Sequence, residues 1–154
     1  MNTKRILVLG GYGSTGRPLC EHLLQETAAQ VVIAGRTRAK AEALAAELTT
    51  RFGEGRVTAV MADAASFPSL QTAFEGVDVV VVASSTTAYT ENIARAALTA
   101  GADYLDVNFS GHKTAVLRQL APEIEAAGLC FVTDGGFHPG VPAALVRYAA
   151  GRCD

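Results

Sequence analysis

Short apolar runs alternate with helical patterns along almost the whole chain, and no two apolar runs follow each other directly. The first run is ILVL at residues 6–9, and the strongest is VDVVVVA at residues 77–83. Strand patterns that alternate with helix patterns indicate a parallel sheet whose crossover helices cover both faces. We therefore predict an α/β fold with a doubly wound, six-stranded parallel sheet in a single domain.

The apolar periodicity also gives approximate bounds for each element. Six strands are predicted at residues 6–9, 31–34, 57–61, 77–83, 104–107 and 129–133. Six helices are predicted: one with Leu19, Leu23 and Leu24 on its buried face, then 39–48, 66–74, 90–100, 112–127 and 142–150. Because proline cannot donate a backbone hydrogen bond, the fifth helix is expected to break or bend at Pro122.

Composition excludes several classes of function. The chain has 154 residues with 49% hydrophobic and 18% charged side chains, and its net charge of −2 with no basic run argues against a nucleic-acid partner. The longest uninterrupted apolar run is far shorter than the roughly 20 residues that span a bilayer, and no signal peptide is visible. We therefore expect a cytoplasmic protein with no membrane partner.

Three cysteines, Cys20, Cys130 and Cys153, show neither metal-ligand spacing nor a C-x-x-C motif. Few unpaired thiols are typical of a reducing compartment. We predict no metal site, and we expect Cys20 and Cys130 to be buried core thiols.

The segment GGYGSTG at residues 10–16 joins the first strand to the first helix. In the pattern G-x-G-x-x-G, Gly11 permits a tight turn, Gly13 lets a pyrophosphate approach the backbone, and Gly16 lets the helix pack closely. The N-terminus of the helix then offers free N–H groups to phosphates. The segment therefore predicts a Rossmann-type dinucleotide site. Its expected residues are Gly11, Tyr12, Gly13, Ser14, Thr15 and Gly16.

The end of the second strand indicates which dinucleotide binds. NAD sites usually carry an acidic residue about 20 positions beyond the glycines, where it bonds the ribose 2′-hydroxyl. Here the sequence IAGRTRAK has no Asp or Glu and places Arg36, Thr37 and Arg38 there instead. A guanidinium matches the oxygens of a 2′-phosphate, so we predict NADP(H) rather than NAD(H).

Further cofactor contacts are expected beyond the carboxyl ends of the other strands, where ligands of such sheets bind. Asp63 is placed to meet the adenine edge, although it could equally be the N-cap of the following helix. Asn108 is placed nearer to the nicotinamide, and Tyr89 is expected to pack rather than to line the pocket. Either the adenine ribose or the nicotinamide ribose is expected to lie over Ala83, Ser84 and Ser85.

With these residues identified, the chain resembles the NADP-binding domain of the saccharopine dehydrogenase/reductase family. The segments that carry the resemblance are ILVLGGYGSTGRPL, VVIAGRTRAKAEAL, VDVVVVASSTTAYTENIARAALTAGADYLDV and AGLCFVTDGGFHPGVPAALV. The resemblance implies that residues 1–154 are the N-terminal NADP(H)-binding part of a longer two-domain oxidoreductase. The resemblance implies that members form or cleave a secondary amine between amino-acid or polyamine parts, while other members reduce other substrates. An amino-acid-like small molecule of unknown identity is the expected substrate.

One position departs from the family pattern. Many relatives have G-F-D-P-G after the sixth strand, whereas this chain has His138 at the position of the aspartate. His138 could be an acid/base group, although a loop histidine is more often structural or exposed. We name no catalytic residue. We expect the chain by itself to bind NADP(H) without turnover, because the second domain would hold the substrate. Relatives often dimerise through that domain, so a homodimer is a possible partner arrangement for this chain.

Two alternative functions stay open. The glycines also fit G-x-x-G-x-x-G through Gly10, a spacing that resembles extended short-chain dehydrogenases. That class places a lysine four residues after a tyrosine, but the residues at this spacing after Tyr89, Tyr104 and Tyr148 are isoleucine, asparagine and arginine. Catalysis of that type is therefore disfavoured. A non-catalytic protein that senses NADP(H) would carry the same glycine turn.

Overall fold

A computed structural model describes residues 3–135 and 145–150 of the chain. Strands and helices alternate as the sequence predicts. The strands are β1 (Arg5–Leu9), β2 (Gln30–Gly35), β3 (Val57–Met61), β4 (Val79–Val82), β5 (Asp103–Asp106) and β6 (Phe131–Val132). The helices are α1 (Gly16–Glu26), α2 (Arg38–Phe52), α3 (Phe67–Phe74), α4 (Thr90–Ala100) and α5 (Gly111–Ala126), with a 3₁₀ turn at Thr87–Tyr89.

All the strand pairs in the sheet are parallel, and the spatial order is β3-β2-β1-β4-β5-β6. This order is typical of the Rossmann fold, so the predicted fold class is confirmed. The strand order reverses direction between β1 and β4, which lie side by side with Ile6 opposite Val79. In folds of this kind the ligand crevice opens at that reversal.

Side chains that alternate along β1 supply two separate cores, one on each face of the sheet. Leu7 is buried with residues of α3, α4 and α5, whereas Val8 is buried with residues of α1 and α2. A parallel strand covered by helices on both faces is apolar at consecutive positions, which explains the continuous runs in the sequence. The two cores hold the carboxyl ends of β1 and β4 in fixed positions.

Several predicted bounds differ from the structure. β4 and β6 are shorter than predicted, because Val77 is already in the turn after α3 and only Phe131 and Val132 pair with β5. α5 continues through Pro122 without a break, since the buried Leu120 and Ile124 hold the helix against the core on both sides of the proline.

Further predictions concern the cysteines and the last helix. Cys20 is buried as expected, but the prediction for Cys130 was wrong because this residue is exposed at the start of the β6 edge. Residues 145–150 are helical, in agreement with the predicted last helix, whose first residues lie outside the described part of the chain.

Within residues 3–135 and 145–150, no helix combines the length and apolar character that crossing a membrane requires. The same residues contain no group of three or more His, Cys, Asp or Glu side chains arranged to hold a metal ion.

Candidate functional site

A cleft of about 510 Å³ opens at the carboxyl edge of the sheet, where β1 and β4 end. Its walls come from the loops that follow β1, β2, β3, β4 and β5. The lining residues are Leu9, Gly10, Tyr12, Gly13, Ser14, Thr15, Gly35, Arg36, Ala62, Asp63, Ala64, Ala65, Ala83, Ser84, Ser85, Thr86, Tyr89 and Asn108. The cleft therefore unites most of the residues that the sequence predicts for a dinucleotide.

The glycine turn is fixed between the ends of β2 and β4. Gly10 has a φ of +87°, and a Cβ atom there would lie 2.6 Å from the Cβ of Ser84. Its N–H donates to the carbonyl of Ala34 at 2.8 Å. The sequence analysis assigned the tight turn to Gly11, but the residue whose left-handed backbone makes the turn is Gly10. Gly11 packs instead against the carbonyl of Val8.

The third glycine sets the distance between the turn and helix α1. A Cβ atom on Gly16 would overlap the backbone of Gly10 and Gly11, so only glycine allows the helix to start this close to the strand. Within the described residues, the backbone N–H groups of Ser14 and Thr15 have no hydrogen-bond acceptor. Ser14 and Thr15 line the cleft at the N-terminus of α1, a position that is favourable for phosphate oxygens.

Cys20 lies beneath the same turn and does not face the cleft. Its thiol donates to the carbonyl of Gly11 at 3.8 Å. Burial raises the pKa of Cys20 to about 12, so the thiol stays protonated at neutral pH. Because a protonated thiol is a poor nucleophile, Cys20 acts as a packing residue under the turn.

The two arginines after β2 have different environments. Arg36 lines the cleft and is exposed, and among the described residues its guanidinium has no hydrogen bond or ion pair. Arg38 is the first residue of α2 and pairs with Glu42 at 2.7 Å. The hydrogen bond to Glu42 raises the pKa of Arg38. Arg38 and Thr37 do not line the cleft, so Arg36 is the cation placed to meet a ligand there.

Asp63 lines the cleft after β3, and it is not the N-cap of α3. Its carboxylate accepts the N–H of Ala65 at 3.0 Å. The N-cap is Ser66, whose hydroxyl accepts the N–H of Ser69. The N-cap alternative was therefore wrong, because the carboxylate closes the β3 loop instead, and the contact of Asp63 with the adenine stays a prediction.

The far end of the cleft is formed by the loops after β4 and β5. The side-chain amide of Asn108 donates to the carbonyl of Ser84 at 2.8 Å and joins these two loops. The Ser84 hydroxyl lies 3.1 Å from that of Thr86. Tyr89 lines the cleft and is 43% exposed, so the expectation that it packs in the interior was wrong.

A buried charge cluster that the sequence analysis missed supports this end of the cleft. The Lys113 ammonium, 1% exposed, donates to the carboxylates of Asp106 and Asp134 and to the carbonyl of Asn108. Asp106 also accepts the hydroxyl of Tyr104 at 2.8 Å. Burial and the neighbouring carboxylate of Asp106 raise the pKa of Tyr104, so the phenol stays protonated. The signal that could have found it is the helical spacing of Lys113 with Leu117, Leu120 and Ile124, which are the buried residues of α5.

The predicted residues thus fall into two groups. Those that line the cleft are Tyr12, Gly13, Ser14, Thr15, Arg36, Asp63, Ala83, Ser84, Ser85 and Asn108. Four others do not line it. Gly11 is inside the glycine turn, Gly16 is the first residue of α1, and Thr37 and Arg38 lie at the start of α2. His138 and Cys153 lie outside the described residues. The cleft brings together a glycine turn, hydroxyl groups and the Arg36 guanidinium, and these groups fit the phosphates and riboses of a dinucleotide.

Sequence comparison finds a family match over most of the chain. The model of the family described as "Saccharopine dehydrogenase NADP binding domain" matches residues 6–132. Glutamyl-tRNA reductase of Chlorobium limicola is 36% identical over 89 residues, which are 58% of this chain and 18% of that protein. The same enzyme of Chlorobium phaeobacteroides is 45% identical over 51 residues, 33% of this chain and 12% of that protein.

Structural comparison gives a corresponding result. Saccharopine dehydrogenase (L-Glu forming) of Saccharomyces cerevisiae superposes with a TM-score of 0.76 and 26% identity, over 97% of this chain and 31% of that chain. Triphenylmethane reductase of Citrobacter sp., complexed with NADP(H), has a TM-score of 0.64 and 22% identity over 83% of this chain and 48% of its own, and shares the fold. The chain thus spans less than half the length of each of these relatives.

Proposed function

The chain belongs to the saccharopine dehydrogenase NADP-binding-domain family, whose cofactor is NADP(H), and we propose that the cleft between β1 and β4 holds that cofactor. The pyrophosphate lies on the glycine turn against Ser14 and Thr15. The adenosine half extends towards Arg36 and Asp63, and the nicotinamide half extends towards residues 83–85 and Asn108. When bound, the cofactor supplies hydride chemistry, and these residues orient it.

The observation that carries this proposal is the position of Arg36. It follows β2, where an NAD-specific site would carry a carboxylate, and it lines the cleft without a counter-ion among the described residues. Its guanidinium is therefore available to a 2′-phosphate, and no acidic side chain on the β2 loop opposes that phosphate. A charge-assisted hydrogen bond of this kind contributes about 1.5–3 kcal/mol, or roughly one to two decades of affinity.

Calorimetric titration with NADPH and NADH tests the proposal. The wild-type chain should bind NADPH at least tenfold more tightly than NADH. Arg36→Ala should weaken NADPH binding by about tenfold or more and change NADH binding little, because NADH has no 2′-phosphate. The matched control is Arg38→Ala, which removes an equal charge two residues away whose guanidinium pairs with Glu42.

Two results would contradict the proposal. If the wild-type chain bound neither nucleotide, the cleft would not be a dinucleotide site. If Arg36→Ala and Arg38→Ala had equal effects, a general loss of positive charge would explain the preference better than a contact with Arg36.

In the whole protein, the proposed activity is NADP(H)-dependent oxidoreduction of an amino-acid-like substrate held by a second domain. The cleft supports this role because its nicotinamide end, near Tyr89 and Asn108, is open at the carboxyl edge of the sheet. We expect residues 1–154 alone to bind NADP(H) and not to reduce substrate. Steady-state assays that compare the full gene product with this chain distinguish an enzyme from a nucleotide sensor.

A further inference from the structure

The hydroxyl of Tyr12 joins the two loops that meet the phosphates of a dinucleotide. Tyr12 is in the glycine turn after β1, and its oxygen accepts the backbone N–H of Thr37 at 3.0 Å. Thr37 is the N-cap of α2, and its own carbonyl accepts the N–H groups of Lys40 and Ala41. This single side-chain bond therefore fixes the start of α2 against the glycine turn.

The ring of Tyr12 packs against Gly35, the residue that precedes Arg36. Gly35 ends β2, and a Cβ atom built on it would lie 2.5 Å from Cε1 and 2.7 Å from the hydroxyl oxygen of Tyr12. Because any larger residue would displace the ring, the contact depends on glycine at this position. The backbone of Gly35 is itself held, since its carbonyl accepts the N–H of Ala62 at 3.0 Å.

Arg36 is the single residue between these two fixed points. Its backbone is held at Gly35 by the ring and by β3, and at Thr37 by the hydroxyl bond, while its side chain is exposed in the cleft. A long side chain that is free in solution loses entropy when it binds a phosphate, and a fixed backbone reduces that loss. Without the hydroxyl bond, the backbone of Arg36 would occupy a wider set of positions before the phosphate binds.

From this arrangement, and on the basis of the proposed function, we propose that Tyr12 determines the preference for NADP(H) over NAD(H) by positioning Arg36. Tyr12 is a positioning residue in this role. Its effect should appear in the affinity for the nucleotide that carries a 2′-phosphate, because that phosphate is the group that Arg36 meets. A tyrosine that only packs under the turn would affect both nucleotides equally.

The test is a double-mutant cycle with Tyr12→Phe, Arg36→Ala and the double variant, each titrated with NADPH and NADH. Tyr12→Phe keeps the ring on Gly35 and removes only the hydroxyl. It should lower the NADPH-to-NADH affinity ratio three- to tenfold and leave the affinity for NADH within twofold. In the Arg36→Ala background, Tyr12→Phe should cause no further loss of the ratio, because the residue through which it acts is gone.

Tyr89→Phe is the matched control, because Tyr89 is the other tyrosine in the cleft and lies at the opposite end. It should change both affinities by the same factor. If Tyr12→Phe left the NADPH-to-NADH affinity ratio unchanged, the inference would be overturned while the proposed function stood. An additive loss in the double variant would mean that the hydroxyl contacts the phosphate directly, and it would overturn the role through Arg36. A wild-type chain with no preference for NADPH would overturn both proposals.

Discussion

The Lys113 ammonium is a fully buried charge whose three hydrogen bonds all go to acceptors at the ends of β5 and β6. Removing one member of such a cluster leaves the others buried without compensation, which is costly. Lys113→Met keeps most of the side-chain volume and should lower the free energy of unfolding by about 3–5 kcal/mol, measured by urea denaturation.

Lys40→Met is the control for that measurement. Lys40 is exposed on α2 and has no side-chain partner among the described residues, so its loss should not move the denaturation midpoint. If both variants unfolded at the wild-type urea concentration, the charges of the Lys113 cluster would be solvated rather than buried.

At the residue scale, the sequence pointed to the glycine turn and to Arg36, because phosphate binding needs close backbone approach and positive charge. The structure brings both to one cleft, and their contact with a nucleotide stays a prediction. Sequence reasoning missed the contacts between groups that meet only in the fold. The bond from Tyr12 to Thr37 spans 25 residues, and Lys113 meets Asp134 over 21, so no local pattern marks either contact.

At the scale of elements, the approach of α1 to β1 depends on Gly16. Gly16→Ala places a methyl group where the backbone of Gly10 and Gly11 already lies, so helix and turn must separate. We expect a loss of about 1–3 kcal/mol of stability from this overpacking. The affinities for NADPH and NADH should fall together, because in the proposed binding mode the displaced turn meets the pyrophosphate that both nucleotides carry. Thermal unfolding and calorimetry measure the two effects.

Gly111→Ala is the matched control, since Gly111 is also the first residue of a helix. Its added Cβ would meet nothing within 4 Å, and its φ is not positive. Alanine should therefore leave stability unchanged or slightly higher. A Gly16→Ala variant as stable as Gly111→Ala would show that α1 can shift at no cost.

The bounds of an element were predictable where a residue in the sequence ends that element. β3 and α4 have the predicted bounds, and α4 ends at Gly101 in the left-handed region as glycine allows. β6 was predicted as residues 129–133, but only Phe131 and Val132 are strand. An edge strand gains hydrogen bonds from one neighbour only, so its length depends on β5 rather than on its own apolar run.

At the scale of the whole molecule, β1 and β4 form the seam between the two halves of the sheet. The cleft opens at the carboxyl end of this seam. At its amino end, the carboxylate of Asp78 accepts the N–H of Arg5 at 2.7 Å and the ammonium of Lys4 at 2.9 Å. These two interactions, with the backbone hydrogen bond the larger, lower the pKa of Asp78.

A lowered carboxyl pKa predicts a pH-dependent contribution to stability. The folded state favours ionised Asp78, so the contribution is present above the unfolded pKa of about 3.9 and disappears as the pH falls through the folded value. Asp78→Asn should therefore be less stable than wild type at pH 7, by up to about 1 kcal/mol for a partly exposed pair. Urea denaturation at pH 7 and pH 3 should show this difference shrinking in acid. A difference that is constant with pH would exclude ionisation as its cause.

The position of the cleft at the seam also fixes the order in which its walls are made during translation. The turn at Gly10–Thr15, the loop at Arg36 and the loop at Asp63 all precede β4 in the chain, and the opposite wall at residues 83–86 and Asn108 follows. Because synthesis runs from the N-terminus, the wall with the groups proposed to bind phosphate leaves the ribosome before the wall that completes the site. A nascent chain halted before β4 therefore carries half of a binding site and one unpaired edge of β1.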